Sequence, residues 1–213
     1  PIEYTLEGIG QTQVTNKTGY DFAMGLRSIL RQDPDVVMLG EIRDEETARI
    51  AIQSSLTGHL VMSTVHTNSA AGAITRLRDM GIESFLLASS LKTIISQRLI
   101  RRLCNKCKSE TKVSQVAIDL LGLKKGQTVF SAKGCNDCDG TGFKGRIAIA
   151  ESIQVGTVLK DMIHDEASEQ DIQNVAFKDI QTIDQIGSEL LTKGLTSPEE
   201  LIRINNQKED ASV

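Results

Sequence analysis

The feature of this sequence that most constrains its fold is a strand–helix–strand pattern between residues 33 and 65. Four apolar residues at 36–39, bounded by a proline and a glycine, are typical of a short buried strand. A helix with an aspartate cap fits residues 44–58, and a second apolar run at 60–65 predicts another buried strand. Two strands joined by one helix over so short a stretch favour parallel pairing with a right-handed crossover. We therefore predict an α/β fold.

Other elements are predicted on both sides of this pattern. Asp21 can cap a helix over residues 21–32. A long amphipathic helix is predicted from about Ser84 to Leu103. Its last turns would hold three arginines, where cations suit the helix dipole: Arg98, Arg101 and Arg102. The remaining predictions are a strand at 11–14, a helix from 68 or 69 to 80, a strand at 147–155, and short helices at 183–193 and 197–204.

The composition changes after residue 103. Residues 104–146 are rich in Gly, Lys and Cys and lack apolar periodicity. We therefore expect three segments, namely 1–103, a small insert at 104–146 and a mainly helical region at 147–213. No apolar run approaches the roughly 18 residues of a membrane-spanning helix.

Charge is unevenly distributed, although the formal net charge is only −4. Between Arg76 and Arg146 there are 14 Lys and Arg residues against 6 Asp and Glu residues, whereas residues 157–213 hold 5 against 12. This pattern fits either a basic surface followed by an acidic region or the solvated faces of helices. We expect no nucleic acid partner, because aromatic residues, which stack on bases, make up only 3% of the chain.

The four cysteines form two CxxC pairs, Cys104 with Cys107 and Cys135 with Cys138. Two intervening residues let both thiolates of a pair point at one tetrahedral ion, so the pattern predicts a structural Zn²⁺ site. Four sulfur ligands would leave no open position for catalysis. Two disulfides or four free thiols are the alternatives. No secretory leader is visible, so we expect a reducing compartment, which favours zinc over disulfides.

Two polar side chains follow the ends of the predicted strands. Glu41 comes directly after the first strand, and His66 follows the second. The carboxyl ends of adjacent parallel strands meet at one sheet edge, where α/β proteins bind ligands. A carboxylate in this position is typical of a Walker B element, which holds Mg²⁺ through water or orients the attacking water. A purely structural His66 is the alternative. His59 lies at the opposite end of its strand, where either a hydrogen-bonding structural role or a catalytic one is open, and His164 is expected on the surface.

Several motifs, in order, resemble those of the secretion ATPases that drive type II secretion and type IV pilus assembly. Residues 1–14 are similar to the Asp box of that family, residues 27–44 to its atypical Walker B and residues 56–68 to its His box. Residues 96–104 lead into a tetracysteine insert as in the assembly branch, and residues 145–151 and 194–201 resemble its C-terminal segments. The resemblance extends to about residue 204.

The resemblance implies a partial RecA-like parallel sheet with flanking helices in residues 1–103, and a homo-hexameric ATPase that uses ATP and Mg²⁺. Glu41 would be the Walker B carboxylate and organise magnesium through water. Glu3 would be the Asp-box acid, a candidate to polarise the attacking water, and His66 would contact the γ-phosphate. Three further residues are candidates for phosphate binding or subunit coupling: Arg27, Arg31 and Arg43.

The chain departs from this family in one respect, because no Gly-Lys dipeptide occurs anywhere in it. A P-loop, G-x-x-x-x-G-K-[ST], needs that dipeptide to bind the phosphates of a nucleotide. In the family the P-loop precedes the Asp box, and this chain begins at Pro1 rather than at a methionine. We therefore expect a C-terminal part of a longer protein that by itself binds ATP poorly and hydrolyses it barely or not at all.

The resemblance also implies partners and a location. We expect a cytoplasmic protein, peripheral to the inner membrane, that contacts an inner-membrane platform protein and other secretion or pilus subunits. One alternative is a non-catalytic, zinc-stabilised module that docks on such a platform through residues 98–108. Another is a conjugation-type secretion ATPase, which shares the motor but lacks the cysteines.

Overall fold

The computed structural model describes residues 2–15, 17 and 19–210. Two predicted segments include residues outside the described ones: Pro1 in the Asp box, and residues 211–213 in the C-terminal region. The chain divides into two compact units. The first comprises Pro1–Ile94 and Gln154–Val175, and the second comprises Ile95–Ile153 and Ala176–Val213. Within the described ranges, no helix combines the length and hydropathy that crossing a bilayer requires.

The fold is mixed α/β. Its helices are α1 (Phe22–Leu30), α2 (Glu45–Leu56), α3 (Gly72–Asp79), α4 (Ser84–Ser90), α5 (Gln115–Leu121), α6 (Thr157–His164), α7 (Glu169–Ala176), α8 (Ile183–Thr192) and α9 (Pro198–Asp210). Its strands are β1 (Val36–Leu39), β2 (Leu60–Ser63), β3 (Thr93–Leu103), β4 (Ser109–Lys112), β5 (Thr128–Ser131) and β6 (Phe143–Gln154). Within the described residues, the strands form three two-stranded sheets, β1–β2, β3–β6 and β4–β5.

Side-chain caps begin both helices around the first sheet. The carboxylate of Asp21 accepts a hydrogen bond from the Met24 N–H, and that of Asp44 accepts one from the Thr47 N–H, each at 2.8 Å. These bonds satisfy backbone donors that the first turn of a helix leaves free. The predicted starts of both helices are therefore confirmed.

The parallel pairing of β1 and β2 is also confirmed. The register runs from Val36 opposite Leu60 to Leu39 opposite Ser63, with α2 as the crossover. Both strands therefore end at the same edge of the sheet. The second strand ends at Ser63, two residues earlier than predicted.

The prediction that both strands of this sheet are buried is wrong for one face of the sheet. Val37 and Leu39 point into the core with α1 and α2. The opposite face carries four exposed apolar side chains, Val36, Met38, Leu60 and Met62, of which Met38 is 73% exposed. We call these four residues the open sheet face. The sequence predicts two covered faces because both apolar runs are continuous, which is typical of parallel strands that are buried on both sides.

The second unit is built around the β3–β6 sheet. Cys104 donates its N–H to the Gly142 carbonyl just beyond one end, and Thr93 donates to Gln154 at the other, so the strands run antiparallel. Buried side chains from this sheet, from β5 and from α5, α8 and α9 form one core, which includes Ile100, Val129, Ile149, Leu191 and Leu201. The predicted strand at 147–155 is confirmed and begins earlier, at Phe143.

The predicted long helix from Ser84 to Leu103 is wrong. Helix α4 ends at Ser90, and the following residues form β3, so Arg98, Arg101 and Arg102 lie on a strand. Exposure alternates along most of β3, as the two-residue period of a strand requires. The β-branched side chains of the Thr-Ile-Ile run at 93–95 suit a strand better than a helix.

Two smaller predictions also change. The predicted strand at 11–14 is absent, and Thr15 and Tyr20 instead form an isolated antiparallel bridge just after it. The helix predicted from residue 68 or 69 begins at Gly72, since residues 68–71 form bends and turns. The predicted C-terminal helices at 183–193 and 197–204 are present as α8 and α9.

Candidate functional site

The carboxyl edge of the parallel sheet brings Glu41 and His66 together. The Nε2 atom of His66 lies 3.2 Å from Oε2 of Glu41. The Glu41 side chain is only 16% exposed, whereas that of His66 is 82% exposed. The structure therefore places a shielded carboxylate beneath an accessible imidazole, which is the juxtaposition that the parallel strands predict.

Arg43 completes this group. Its Nε donates to the same Oε2 atom of Glu41 at 2.5 Å. This hydrogen bond lowers the pKa of the Glu41 carboxyl below its usual value; burial opposes the shift, and the charge of Arg43 and the contact with His66 add to it. Glu41 is therefore ionised near neutral pH, as a carboxylate that organises a cation must be.

The backbone around Glu41 is held by its neighbours. Ile42 is buried, and its N–H donates to the Thr64 carbonyl at 2.9 Å. The Thr64 hydroxyl donates to the Gly40 carbonyl at 2.7 Å. A side chain at Gly40 would meet the ring of Phe22 at 3.2 Å, so glycine allows α1 to approach the end of β1 closely.

Other residues of the predicted site lie apart from this group. Arg27 forms an ion pair with Glu46, and Arg31 is the C-cap residue of α1. Glu3 is exposed in a segment that forms neither helix nor strand. Within the described part of the chain, no hydrogen bond or ion pair joins Glu3, Arg27 or Arg31 to Glu41.

The two other histidines have local hydrogen bonds. Nδ1 of His59 lies 3.0 Å from the Ser54 carbonyl, at the start of β2 and away from the Glu41 edge. His164 is exposed and pairs with Asp165 at 3.2 Å. Both positions match the prediction.

The four cysteines form one cluster in the second unit. Their Sγ atoms all lie within 4.8 Å of one another, and the four thiols are free. The distance is 3.9 Å from Cys104 to Cys135 and 3.7 Å from Cys138 to both Cys107 and Cys135. Zinc at about 2.3 Å from four tetrahedral sulfurs would separate them by about 3.8 Å. The donor set and its spacing therefore fit a tetrahedral thiolate site.

Two backbone N–H groups donate hydrogen bonds to the sulfur of Cys138. The N–H groups of Cys135 and Gly142 each donate to the Cys138 sulfur at 3.2 Å. Burial alone would raise the pKa of Cys138, but these bonds outweigh it and lower that pKa. Burial raises the pKa of Cys107, and its hydrogen bond with Cys138 raises it further. The cluster therefore favours a first thiolate at Cys138.

Three charged side chains beside the cysteine cluster form ion pairs with one another. Asp137 lies between the ammonium groups of Lys106 and Lys144, at 2.8 and 2.9 Å. These hydrogen bonds lower the pKa of Asp137 to about 2. They link the two cysteine-bearing loops, because Lys106 lies in the first CxxC pair and Asp137 in the second.

A buried ion group in the second unit has no counterpart in the sequence predictions. Glu200, at the start of α9, is fully buried, and Arg101 on β3 donates to it from its backbone N–H and its guanidinium. Arg203 donates to both carboxylate oxygens. The pair of Glu200 with Arg203 is local, three residues apart on one helix, but nothing in the sequence marks the contact with Arg101, which is 99 residues away.

The fold and the Glu41 edge together define a mixed α/β protein with an acid and an imidazole at the carboxyl edge of a parallel sheet. The structure resembles the pilus retraction motor PilT with bound ADP, with a TM-score of 0.61 and 27% identity over 86% of this chain and 43% of that one. The family model for Type II/IV secretion system protein matches residues 1–203. The chain belongs to that family, which confirms the resemblance seen in the motifs.

Curated relatives agree with this assignment. Type II secretion system protein E of Pseudomonas aeruginosa is 50% identical over 210 residues, which cover 98% of this chain and 42% of the relative. The type IV pilus assembly ATPase PilB of Thermus thermophilus is 44% identical over 95% of this chain and 23% of the relative. The chain thus spans less than half the length of these proteins.

Proposed function

We propose that this chain is part of a RecA-like ATPase that couples ATP hydrolysis to the assembly of pilus or pseudopilus subunits. The observation that carries the proposal is the contact between Glu41 and His66 at the carboxyl edge of two parallel strands. Similarity to proteins named type II secretion system protein E and PilB supports it.

Each residue of the edge has a role in this proposal. Glu41 is ionised and shielded, so it can hold Mg²⁺ through water and orient the attacking water. His66 is accessible enough to contact the γ-phosphate. Arg43 is placed to neutralise the charge of the phosphates once its guanidinium has released the Glu41 carboxylate. Bound Mg²⁺ would supply charge neutralisation at the phosphates.

The remaining predicted residues would act across a larger assembly. Glu3, Arg27 and Arg31 are exposed or paired away from Glu41, and we propose that they meet the nucleotide or a neighbouring subunit in a homo-hexamer. That assembly would be cytoplasmic and peripheral to the inner membrane, where it would contact a platform protein and other secretion or pilus subunits. Sedimentation of an active chimera of this chain with a full-length relative should show six copies.

A chimera tests the enzymatic proposal. This chain would replace the matching 210 residues of the Pseudomonas aeruginosa relative. We expect magnesium-dependent ATP hydrolysis, which Glu41→Gln should reduce by orders of magnitude while ATP binding persists. Glu110→Gln, an exposed acid on β4, is the matched control and should leave the rate unchanged. The 213-residue chain alone should hydrolyse ATP barely or not at all. Full activity of the Glu41→Gln chimera would refute the assigned role.

We also propose that the four cysteines bind one structural Zn²⁺. The sulfur spacing and the donors to Cys138 support this assignment. Metal analysis of the purified chain should find about one zinc per chain, and Cys104→Ser or Cys138→Ser should remove it and unfold residues 104–146. Ser109→Ala, which changes a nearby hydroxyl only, is the control. Zinc retained in both cysteine variants would contradict the proposal.

A zinc-stabilised docking module is the second candidate function. The exposed side chains of Lys106, Lys144 and Arg102 near the cysteines favour it, because they would suit an acidic partner surface. An inactive chimera that still binds the platform protein, with binding lost on removal of zinc, would favour this function over the ATPase.

A further inference from the structure

Thr64 holds the backbone on both sides of Glu41. Its hydroxyl donates to the Gly40 carbonyl at 2.7 Å, and its own carbonyl accepts from the Ile42 N–H at 2.9 Å. One residue, just beyond the end of β2, thus contacts the peptide groups that precede and follow the carboxylate residue. No other residue in the described chain donates a side-chain hydrogen bond to Gly40.

These bonds lie beyond the regular ladder. The last registered pair of the sheet is Leu39 with Ser63, so Glu41 follows the end of β1 and Thr64 follows the end of β2. A residue outside a ladder is free to change its φ and ψ unless other bonds fix its flanking peptides. Glu41 must keep its Cα–Cβ bond directed at His66 and Arg43, because its carboxylate oxygen contacts both.

We propose that Thr64 is a positioning residue, whose side-chain hydroxyl fixes the direction of the Glu41 carboxylate. Its catalytic consequence rests on the proposed ATPase function, but the geometric effect does not. The carbonyl bond to Ile42 is available to any residue at position 64, whereas the bond to Gly40 requires a hydroxyl. Serine can replace threonine in this role, and valine, which has the same shape, cannot.

The test follows the Glu41 carboxyl directly, in the 213-residue chain. Carbon-13 NMR would titrate the carboxyl, assigned by loss of its signal in Glu41→Gln. In Thr64→Val we expect the Glu41 pKa to rise towards its usual value, because the contacts with Arg43 and His66 loosen. Thr64→Ser should keep the low value. Thr67→Val removes a hydroxyl bonded to the Ser69 carbonyl in the same loop and should also keep it.

An unchanged titration in Thr64→Val, or a Thr64→Ser variant that behaves like Thr64→Val, would overturn the proposal. Amide spectra report whether each variant folds, and Thr64→Ala gives a second test if the valine variant is unfolded. No nucleotide is involved, so this result is independent of whether the protein is an ATPase.

A kinetic measurement in the chimera tests the catalytic consequence. Thr64→Val should lower kcat roughly fivefold, about the factor that one hydrogen bond is worth, with KM for ATP unchanged. Thr64→Ser should restore the rate. If the titration shifts but kcat does not, the positioning holds and the role of Glu41 in hydrolysis fails.

Discussion

Replacing Glu200 with glutamine should destabilise the second unit of the protein. The carboxylate is completely buried and accepts hydrogen bonds from the Arg101 backbone, the Arg101 guanidinium and the Arg203 guanidinium. Glutamine has the same shape but no charge, and its amide NH₂ would face donors rather than acceptors. The substitution therefore removes charge-assisted bonds without leaving a cavity.

The shift in pKa gives the size of the effect. Burial raises the pKa of Glu200, but the bonds from Arg203 and Arg101 overcome this and lower it from 4.5 to about 2. That difference corresponds to about 3 kcal/mol, at about 1.4 kcal/mol per pH unit. The side chains of Arg101 and Arg203 are 46% and 43% exposed, so water screens part of the interaction. We expect a loss of about 2 kcal/mol in the free energy of unfolding.

Urea denaturation monitored by circular dichroism would measure this loss. Glu199→Gln is the matched control, because Glu199 lies in the same first turn of α9 but is exposed. Both changes remove one negative charge near the helix N-terminus, so their difference isolates the buried contacts. We expect Glu199→Gln to cost less than about 0.5 kcal/mol.

The pH dependence provides a second check. The folded-state pKa of Glu200 is lowered, so its contribution is fully present above pH 4.5 and is lost as the pH falls from 4.5 towards 2. The difference between the wild-type chain and Glu200→Gln should shrink over that interval. Equal stability of the Glu200→Gln and Glu199→Gln variants at pH 7, or a difference that persists at pH 2, would refute this reasoning.

Two further predictions concern the core and the cysteine cluster. Leu26→Ala, at a side chain only 1% exposed, should cost about 2–5 kcal/mol in urea denaturation, whereas Met24→Ala at an exposed position of the same helix should cost far less. Gly134→Ala should weaken zinc binding in a chelator competition, because a Cβ there would lie 2.3 Å from the Gly140 carbonyl oxygen. Gly126→Ala is the control, since Gly126 also has a positive φ but its Cβ would meet no atom within 4 Å. Equal zinc affinity in the two alanine variants would contradict the steric argument.

Local patterns in the sequence are sufficient to predict that Glu41 and His66 lie at one edge of the sheet. Asp44 marks the helix start by its own side-chain hydrogen bond, and the apolar runs mark both strands. Once two strands and a crossover helix are assigned, handedness and parallel pairing place Glu41 and His66 at one edge. The cysteine cluster was predictable for a similar reason, because the CxxC spacing itself restricts where the thiols can point.

Features set by distant parts of the chain were not predictable in this way. The apolar residues of β3 fit the period of a helix as well as that of a strand, and its partner β6 begins 40 residues after β3 ends. The contacts of Glu200 with Arg101 depend on the same strand. Nothing in the sequence points to Thr64, because its hydrogen bonds join peptide groups that follow the end of the other strand.

The open sheet face has a practical consequence for solution work. Four large apolar side chains on adjacent strands, with Met38 73% exposed, form a contiguous patch on the first unit. Water-exposed patches of this type bind fluorescent dyes such as ANS and promote self-association as protein concentration rises. Replacing Met38 and Met62 with lysine should suppress dye fluorescence and precipitation while leaving the helices on the opposite side of the strands undisturbed.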